Sequence, residues 1–476
     1  TMKKILTILA FATALFYLST ANAQNNYVLF ASTRVPQINT LNPAFYPSQN
    51  TFYLSLPGIN LRLHSPLSFN NAFQRTDTAT YININDFADH LTDDNNIFLN
   101  ADIDMFGMGL HIRNVFVTLS SKIRFNSHIG IPPGLISFLQ DGNYDHRGEG
   151  NELYILDGNI LQAQLYNEYA LGVGYTYKDL TVGMRLKYLL GLIDARTEGT
   201  QLSLYTDNDL SSLRADLYYK LTLSGIPNFK SNADYNILSY LKEFLGNSGF
   251  SFDIGAKYTW NNFEFSASVI DLGKGIHWRK NIRQFSPHGQ QSITFEGIDF
   301  TRIIVDGKDT TLQHTFDAVR DSLGKVDTLQ GSPYWTSIPT QFNLGAVATL
   351  GSIMRAGFLF HGEIDHNISH FNASGKAISS KNLFRSATTF MVGINLANWL
   401  ELMGSIAVVK DGLTIDWFNP GVGVNFSLGG VLQAYALLNY ISNIRLVKAK
   451  SANIQLGFNM LFGKGPSKKV EIDAED

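Results

Sequence analysis

Apolar and polar residues alternate with strict period two from Asn453 to Phe462. Ile454, Leu456, Phe458, Met460 and Phe462 share one face, and Asn453, Gln455, Gly457 and Asn459 the other. Only an extended strand returns every second residue to the same face. The pattern recurs at Phe252, Ile254, Ala256, Tyr258 and Trp260, at Phe263, Phe265, Ala267 and Val269, and again in 342–350, 390–396 and 422–428. Opposite faces carry Gly, Asn, Gln, Ser and Thr with an occasional charge. A half-buried sandwich strand alternates too, so connection lengths must decide. Fourteen strands are predicted, near 52–63, 105–112, 114–125, 167–177, 181–194, 250–260, 262–270, 340–350, 353–362, 384–396, 399–409, 418–428, 431–441 and 452–462. Short connections at 113–114, 178–180, 260–262, 351–352, 397–398 and 429–430 alternate with long ones at 64–104, 126–166, 195–249, 271–339, 363–383, 410–417 and 442–451. A transmembrane antiparallel β-barrel keeps that parity and a sandwich has no reason to. The expected fold is all-β, a barrel of about fourteen strands, within a range of roughly twelve to sixteen, with both termini periplasmic.

The segments around the barrel follow from the same pattern. Met2 to Ala23 has Lys3 and Lys4, an apolar run from Ile5 to Leu18 and the small-x-small site Ala21-Asn22-Ala23, the layout of a secretory signal. The apolar stretch that comes nearest to a helical span, Phe390 to Val409, is interrupted by Gly393, Asn395, Asn398, Glu401 and Gly404. Residues 24–51 are expected to form an N-terminal hatch or plug, 52–462 the outer-membrane barrel, and 463–476 a charged, disordered periplasmic tail. Helices are expected in long loops at Pro133 to Gln140, at Ala233 to Leu245 and, more weakly, at Lys308 to Thr328. Their apolar faces need cover from the barrel rim, another protein or a greasy ligand. Tyr177, Trp260, Phe263 and Trp399 gather beside the short turns, where an interfacial aromatic belt would sit.

Composition narrows the function. Among 476 residues, 37 Lys and Arg against 40 Asp and Glu give a formal charge of −3 and only 16% charged residues, against roughly 25% in soluble chains. That balance argues against nucleic acid as a partner. The absence of Cys excludes disulfides, thiol catalysis and thiolate metal sites. No Gly-x-Ser-x-Gly elbow, Walker loop, His-Glu-x-x-His or dinucleotide fingerprint occurs, so neither an enzyme nor a cofactor is expected. His361, Glu363, Asp365, His366 and His370 are the densest set of possible metal ligands, but Asn367 and Ser369 break helical spacing and a polar outer loop is the expectation. The strand register turns Lys122, Arg124, Arg185, Lys187, Asp253, Lys257, Glu264, Arg355 and Glu401 toward the lumen. Such charges either tune permeation or pair to hold a plug, and their clustering in 181–187 and 253–264 favours the second. His277 beside Trp278 reads as a structural pair or part of a recognition surface.

Two elements carry a resemblance to known barrels. Thr40-Leu41-Asn42-Pro43-Ala44-Phe45, just before the first strand, resembles the Asn-Pro-Ala element at the N-terminal hatch of FadL-type fatty-acid transport barrels, and is similarly placed in the PorV-type barrels of type IX secretion. Val269-Ile270-Asp271-Leu272-Gly273, followed by Ile276-His277-Trp278, looks like the signature of DUF5723, an uncharacterised Bacteroidota outer-membrane family. Gly172-Val173-Gly174-Tyr175, Val182 to Lys187 and Pro339 to Gly345 match that pattern as well. The resemblance implies a fourteen-stranded barrel with an N-terminal plug and no particular activity. Asn42, Pro43, Ala44 and Phe45 become the candidate hatch, and Asp271, Leu272, Gly273 and Trp278 the family signature. The functional expectation is a FadL-like outer-membrane barrel that takes up or handles a hydrophobic small molecule. The alternative is a non-transporting partner or scaffold in an outer-membrane secretion, assembly or surface complex. Outer-membrane lipid, a hydrophobic ligand and other outer-membrane or secreted proteins are the partners considered.

Overall fold

In a computed structural model the chain is described over residues 27–463, apart from 33, 48–49, 66–72, 76–79, 83–94, 143–152, 207–212, 227–245, 288–290, 296–325, 352, 372–375, 412–413 and 440–449. Fourteen strands close into an antiparallel transmembrane barrel. We number them β1 (two segments, Phe52–Ser55 and Gly58–His64), β2 (Asn95–Ile112), β3 (Val115–Ile131), β4 (Leu161–Tyr177), β5 (Leu180–Thr197), β6 (Ser248–Trp260), β7 (Phe263–Trp278), β8 (Thr340–Leu350), β9 (Met354–Phe371), β10 (Ala377–Ala397), β11 (Leu400–Asp411), β12 (Thr414–Leu428), β13 (Leu432–Asn439) and β14 (Ser451–Phe462). Each strand pairs with its neighbours in sequence. Closure comes from β1, where Phe52 faces both Phe462 of β14 and Leu110 of β2. The first strand therefore starts, and the last ends, at the end of the barrel that carries the tight turns.

Outside and inside divide by residue type as the alternation requires. Along β4 and β5, Leu171, Val173, Tyr175, Val182, Met184 and Leu186 are exposed, while Ala170, Glu168, Arg185 and Lys187 between them are buried. A wall that is apolar outward and polar inward suits lipid outside. Tyr177, Trp260, Phe263 and Trp399 are all exposed near the tight turns. Three of those turns hold non-glycine residues at positive φ, Arg113, Lys178 and Asn261, and Gly429-Gly430 supplies a fourth. Positive φ gives a two-residue turn the twist that flanking strands need.

The strands run well past the stretches read from alternation. About ten residues suffice to cross the hydrocarbon, but ladder hydrogen bonds continue above it. β2 begins at Asn95, β3 reaches Ile131, and β9 and β10 stay paired to Phe371 and Ala377. The connection at 410–417 is corrected to a hairpin, since Asp411 faces Thr414, so the short-long alternation fails there. The wall is also raised on one side. Leu221–Ser224 pairs with both β5 and Arg283–Pro287, which in turn pairs with Val326–Gln330.

Among the described residues one loop helix is seen, α1 (Pro133–Asp141). It does not need a ligand for cover. A separate four-stranded sheet, ordered Gln291–Phe295, Leu213–Tyr218, Thr200–Thr206, Leu153–Gly158, builds a small core from Leu153, Ile155, Leu204 and Ala215, and Leu135 and Phe138 of α1 pack on it. The expected helix at Ala233 to Leu245 lies outside the described residues. So does most of Lys308 to Thr328, whose last residues, from Val326, are strand.

Candidate functional site

The segment before β1 threads the lumen. Val28–Ala31 and Pro36–Thr40 form 3-10 turns, and nearly every described residue from Tyr27 to Tyr46 is buried. Val28, Leu29, Phe30 and Ala31 pack with Val347, Leu359, Met391, Met403, Tyr435 and Leu437 of the inner wall. Glycines make the room. A Cβ on Gly423 would stand 2.8 Å from Val28 Cγ1, and one on Gly393 2.7 Å from the Ala31 carbonyl oxygen. Polar anchors fix the path: Val28 N–H donates to Asn439 Oδ1 at 2.9 Å, Ser32 Oγ to Glu401 Oε2 at 2.8 Å, Gln37 Nε2 to Asn459 Oδ1 at 2.9 Å, and Gln433 Nε2 to the Arg34 carbonyl at 3.1 Å. Arg34 Nη1 donates to the carbonyls of Ala397 and Asn398, beside a tight turn.

Asn42-Pro43-Ala44-Phe45 docks on the opposite wall. Asn42 Nδ2 donates to the carbonyls of Ala256 and Ala267 at 3.2 and 3.1 Å, and its Oδ1 accepts the Ala44 N–H at 2.9 Å. Gly183 and Gly255 leave space there, since added Cβ atoms would lie 2.1 Å from the Pro43 carbonyl oxygen and 2.0 Å from Asn42 Oδ1. The Leu41 carbonyl accepts from Ser268 Oγ at 2.6 Å and Asn343 Nδ2 at 2.9 Å. Phe45 lies under Lys257, whose Nζ is 5.6 Å from the ring centroid.

Beside this segment the inner wall carries a compact charge network. Arg124 Nη1 donates to Glu168 Oε2 and Asp271 Oδ2, each at 2.9 Å, and Arg124 Nε lies 3.3 Å from Asp102 Oδ1. Lys187 Nζ sits 2.6 Å from Asp271 Oδ1 and 2.7 Å from Asp253 Oδ1. Arg185 bridges Glu168 and Asp253 at 3.3 Å each and donates to the Asn39 carbonyl of the threaded segment at 3.1 Å. Arg62 to Asp102 at 3.6 Å and Lys122 to Asp104 at 3.1 Å complete it. Five cations thus meet five carboxylates with no net charge, which a low-dielectric interior requires. All of them except Asp253, together with Thr40, Leu41, Asn60, Ile270, Gln341 and Gln455, line a polar, solvent-open cavity.

Asp271 enters the network through a break in the ladder between β6 and β7. Phe252 pairs with Leu272 and Ile254 with Val269, so Asp253 stands against two residues, Ile270 and Asp271. Such a β-bulge re-aims a side chain. Asp271 takes φ 59°, its N–H donates to Asp253 Oδ1 at 2.8 Å, and its carboxylate turns inward. Strict alternation from Val269 puts Asp271 on the lipid face; the bulge reverses that. Gly273 lies against the Phe250 carbonyl and Leu272 faces out. Trp278 is fully buried, donates Nε1–H to Thr336 Oγ1 at 2.9 Å, and packs with Tyr166, Leu189, Ile276 and Ile338. Gln164 Nε2 shares the same Thr336 hydroxyl.

Other residues fall into smaller groups. Glu264 is bridged by Arg355 at 3.1 Å and Lys257 at 3.8 Å. Glu401 receives Ser32 and Asn425. The reading of His361 to His370 as an outer loop is corrected. His361 and Glu363 belong to β9 and are buried on its inner face, with His361 Nδ1 2.6 Å from Asn343 Oδ1 and Glu363 Oε1 2.6 Å from Arg385 Nη2. The side chains of Asp365, His366 and His370 lie outside the description, and among the described residues no three potential ligands gather as a metal site would need. His277 does not pair with Trp278. It stacks instead on Trp335, centroids 4.5 Å apart and planes 3° from parallel. Glu168, Asp102 and Arg62 were not singled out in the sequence. Alternation with Ala170 and Gly172 placed Glu168 inward, but Asp102 and Arg62 had only their strand phase to mark them.

The family pattern of DUF5723, a family of unknown function, matches residues 43–439, from Pro43 of the threaded segment to the end of β13. The chain belongs to that family. No curated protein matches it. Solved structures it is similar to include the Pseudomonas putida toluene transporter TodX, at 9% identity over 93% of this chain and 98% of that one with TM-score 0.41. The Ralstonia pickettii toluene transporter TbuX is similar at 9% identity, 94% and 100% coverage and TM-score 0.43. A Pseudomonas aeruginosa FadL homologue is similar at 8% identity, 93% and 99% coverage and TM-score 0.44. For DUF5723 the matched span takes in the whole charge network and the Asp271 bulge.

Proposed function

We propose that the chain is an outer-membrane barrel, FadL-like in plan, that takes up or handles a hydrophobic small molecule behind a gate formed by residues 27–47. The tight-turn end and both termini face the periplasm in this reading. The observation that carries it is the threaded segment, anchored to β10–β14 through Val28 to Gln37 and to β5–β8 through Asn39 to Ala44. A lumen crossed in this way passes nothing until the segment moves. An uncharged guest is supported by the neutrality of the network, which leaves no net field to draw ions of either sign. An apolar guest is supported by Val347, Leu359, Met391, Met403 and Leu437 of the inner wall, which Val28 to Ala31 cover and which movement of the segment would bare.

The test is mass spectrometry of lipid-like molecules that co-purify with the full chain in mild detergent, followed by fluorescence titration of the apolar class found. A chain that carries none and binds none sinks the uptake reading. A second reading, a scaffold for another outer-membrane or secreted protein, is favoured by the loop sheet with its own core. Stoichiometric co-purification of one protein, lost when that sheet is disrupted, would support it.

A further inference from the structure

The outer wall of β7 continues into a stretch of one-sided charge. Residues 272–295 contain Lys274, Arg279, Lys280 and Arg283 and no Asp or Glu. The carboxylate just before them, Asp271, is turned into the lumen by the bulge. Lys274, Arg279 and Lys280 are exposed. Their backbone is held firmly, because Asn247 Oδ1 accepts the N–H groups of both Arg279 and Lys280 at 2.8 Å, and Arg279 Nε donates to the Gly246 carbonyl at 3.0 Å.

Next to these cations the apolar band reaches its upper edge. Phe250, paired with Gly275, is 61% exposed, and Trp335, stacked on His277, is 50% exposed. Aromatics gather where hydrocarbon gives way to headgroups. Cations placed just above such a ring meet the phosphates of lipids whose chains run down the wall below.

We propose that Lys274, Arg279 and Lys280, with the His277–Trp335 stack beside them, bind the phosphorylated headgroup of an outer-leaflet glycolipid of the lipid A type. This rests on the orientation in the functional reading above, in which the long-loop end faces outward, and on nothing else in that reading. Charge complementarity and continuity with the lipid-facing band select this occupant over a soluble anion. A soluble anion would have no use for the exposed Phe250 and Trp335.

Native mass spectrometry of the full chain in detergent, with lipid A, dioleoyl phosphatidylglycerol or phosphatidylcholine added, tests the site. Wild type should hold lipid A at least tenfold more tightly than the triple variant Lys274→Ala, Arg279→Ala, Lys280→Ala. Arg113→Ala with Lys178→Ala, at the other end, should leave binding unchanged, and Trp335→Ala should weaken it a few-fold. Heat-modifiable migration on gels confirms that each variant is folded. Retention of lipid A within twofold by the folded triple variant overturns the proposal, as does equal binding of phosphatidylcholine. Equal binding of phosphatidylglycerol overturns the glycolipid assignment. Binding of the hydrophobic guest should be unaltered in the triple variant, so the two proposals fail separately.

Discussion

Asp271 occupies the left-handed backbone region at φ 59° while holding Lys187 and Arg124 in a buried network. Asp and Asn tolerate that region better than other non-glycine residues. Asp271→Asn therefore keeps the bulge and removes only the charge, leaving the network with one excess cation. Breaking a buried pair from one side costs about 3–5 kcal/mol, so the temperature at which the folded band converts to the unfolded one on gels should drop sharply. Asp271→Ala should be no better than Asn, and a variant that melts like wild type would mean the network carries no stability. Gly183 allows a complementary test. A Cβ there meets the Pro43 carbonyl oxygen at 2.1 Å, a backbone atom that cannot rotate aside, whereas Gly404 has nothing within 4 Å. Gly183→Ala should displace Asn42-Pro43 and raise conductance in a planar bilayer; Gly404→Ala should not. Of these residues, the sequence pattern placed Arg185, Lys187 and Asp253 on the lumen side by simple alternation. Asp271 was marked only as a signature, because a bulge shifts the phase by one residue and leaves no trace in hydrophobicity.

Fourteen strands were legible because each must be apolar on its lipid side for about ten residues, and that length is enough to count them. Their upper parts were not, since above the hydrocarbon the outer face is free to be polar and the alternation fades. That is why Glu363, just past the expected end of the strand at 362, looked like loop and proves to lie on the inner face of β9. The loop sheet was missed for another reason. Its strands, Leu153–Gly158, Thr200–Thr206, Leu213–Tyr218 and Gln291–Phe295, come from three separate connections, and nothing local announces that they pair. It should behave as an independent unit. Phe138 of α1 packs on its core, so Phe138→Ala should cost up to about 3 kcal/mol within the sheet. Limited proteolysis should then cut the loops faster while the gel shift of the barrel stays unchanged. Equal loss of both would mean that sheet and barrel unfold together.

At the scale of the whole molecule, the few charges are distributed by environment. Outward positions on the strands meet hydrocarbon, and a charge there is expensive: Leu171→Arg, at a residue 57% exposed on β4, should cost about 2–4 kcal/mol if it lies near the bilayer midplane. Reconstituted yield and melting of the folded band would report it. Inward positions instead meet one another and the threaded segment, and here closure becomes a quantitative question. The segment is held by side chains from both walls, including Asn42 on Ala256 and Ala267, Arg185 on Asn39, and Gln433 on Arg34. Because so many anchors belong to the wall and few to the segment itself, removing the segment leaves a complete barrel, its lining polar around the charge network and apolar where Val347, Leu359, Met391, Met403 and Leu437 lose their cover. Deletion of residues 27–47 should give a folded, heat-modifiable protein with a large, ohmic conductance, where wild type is nearly silent. Since the lining stays charge-balanced, the opened pore should discriminate little between potassium and chloride. A silent deletion variant would place the barrier in the wall or the loops, and a strongly ion-selective one would mean that the network had rearranged around an unpaired charge.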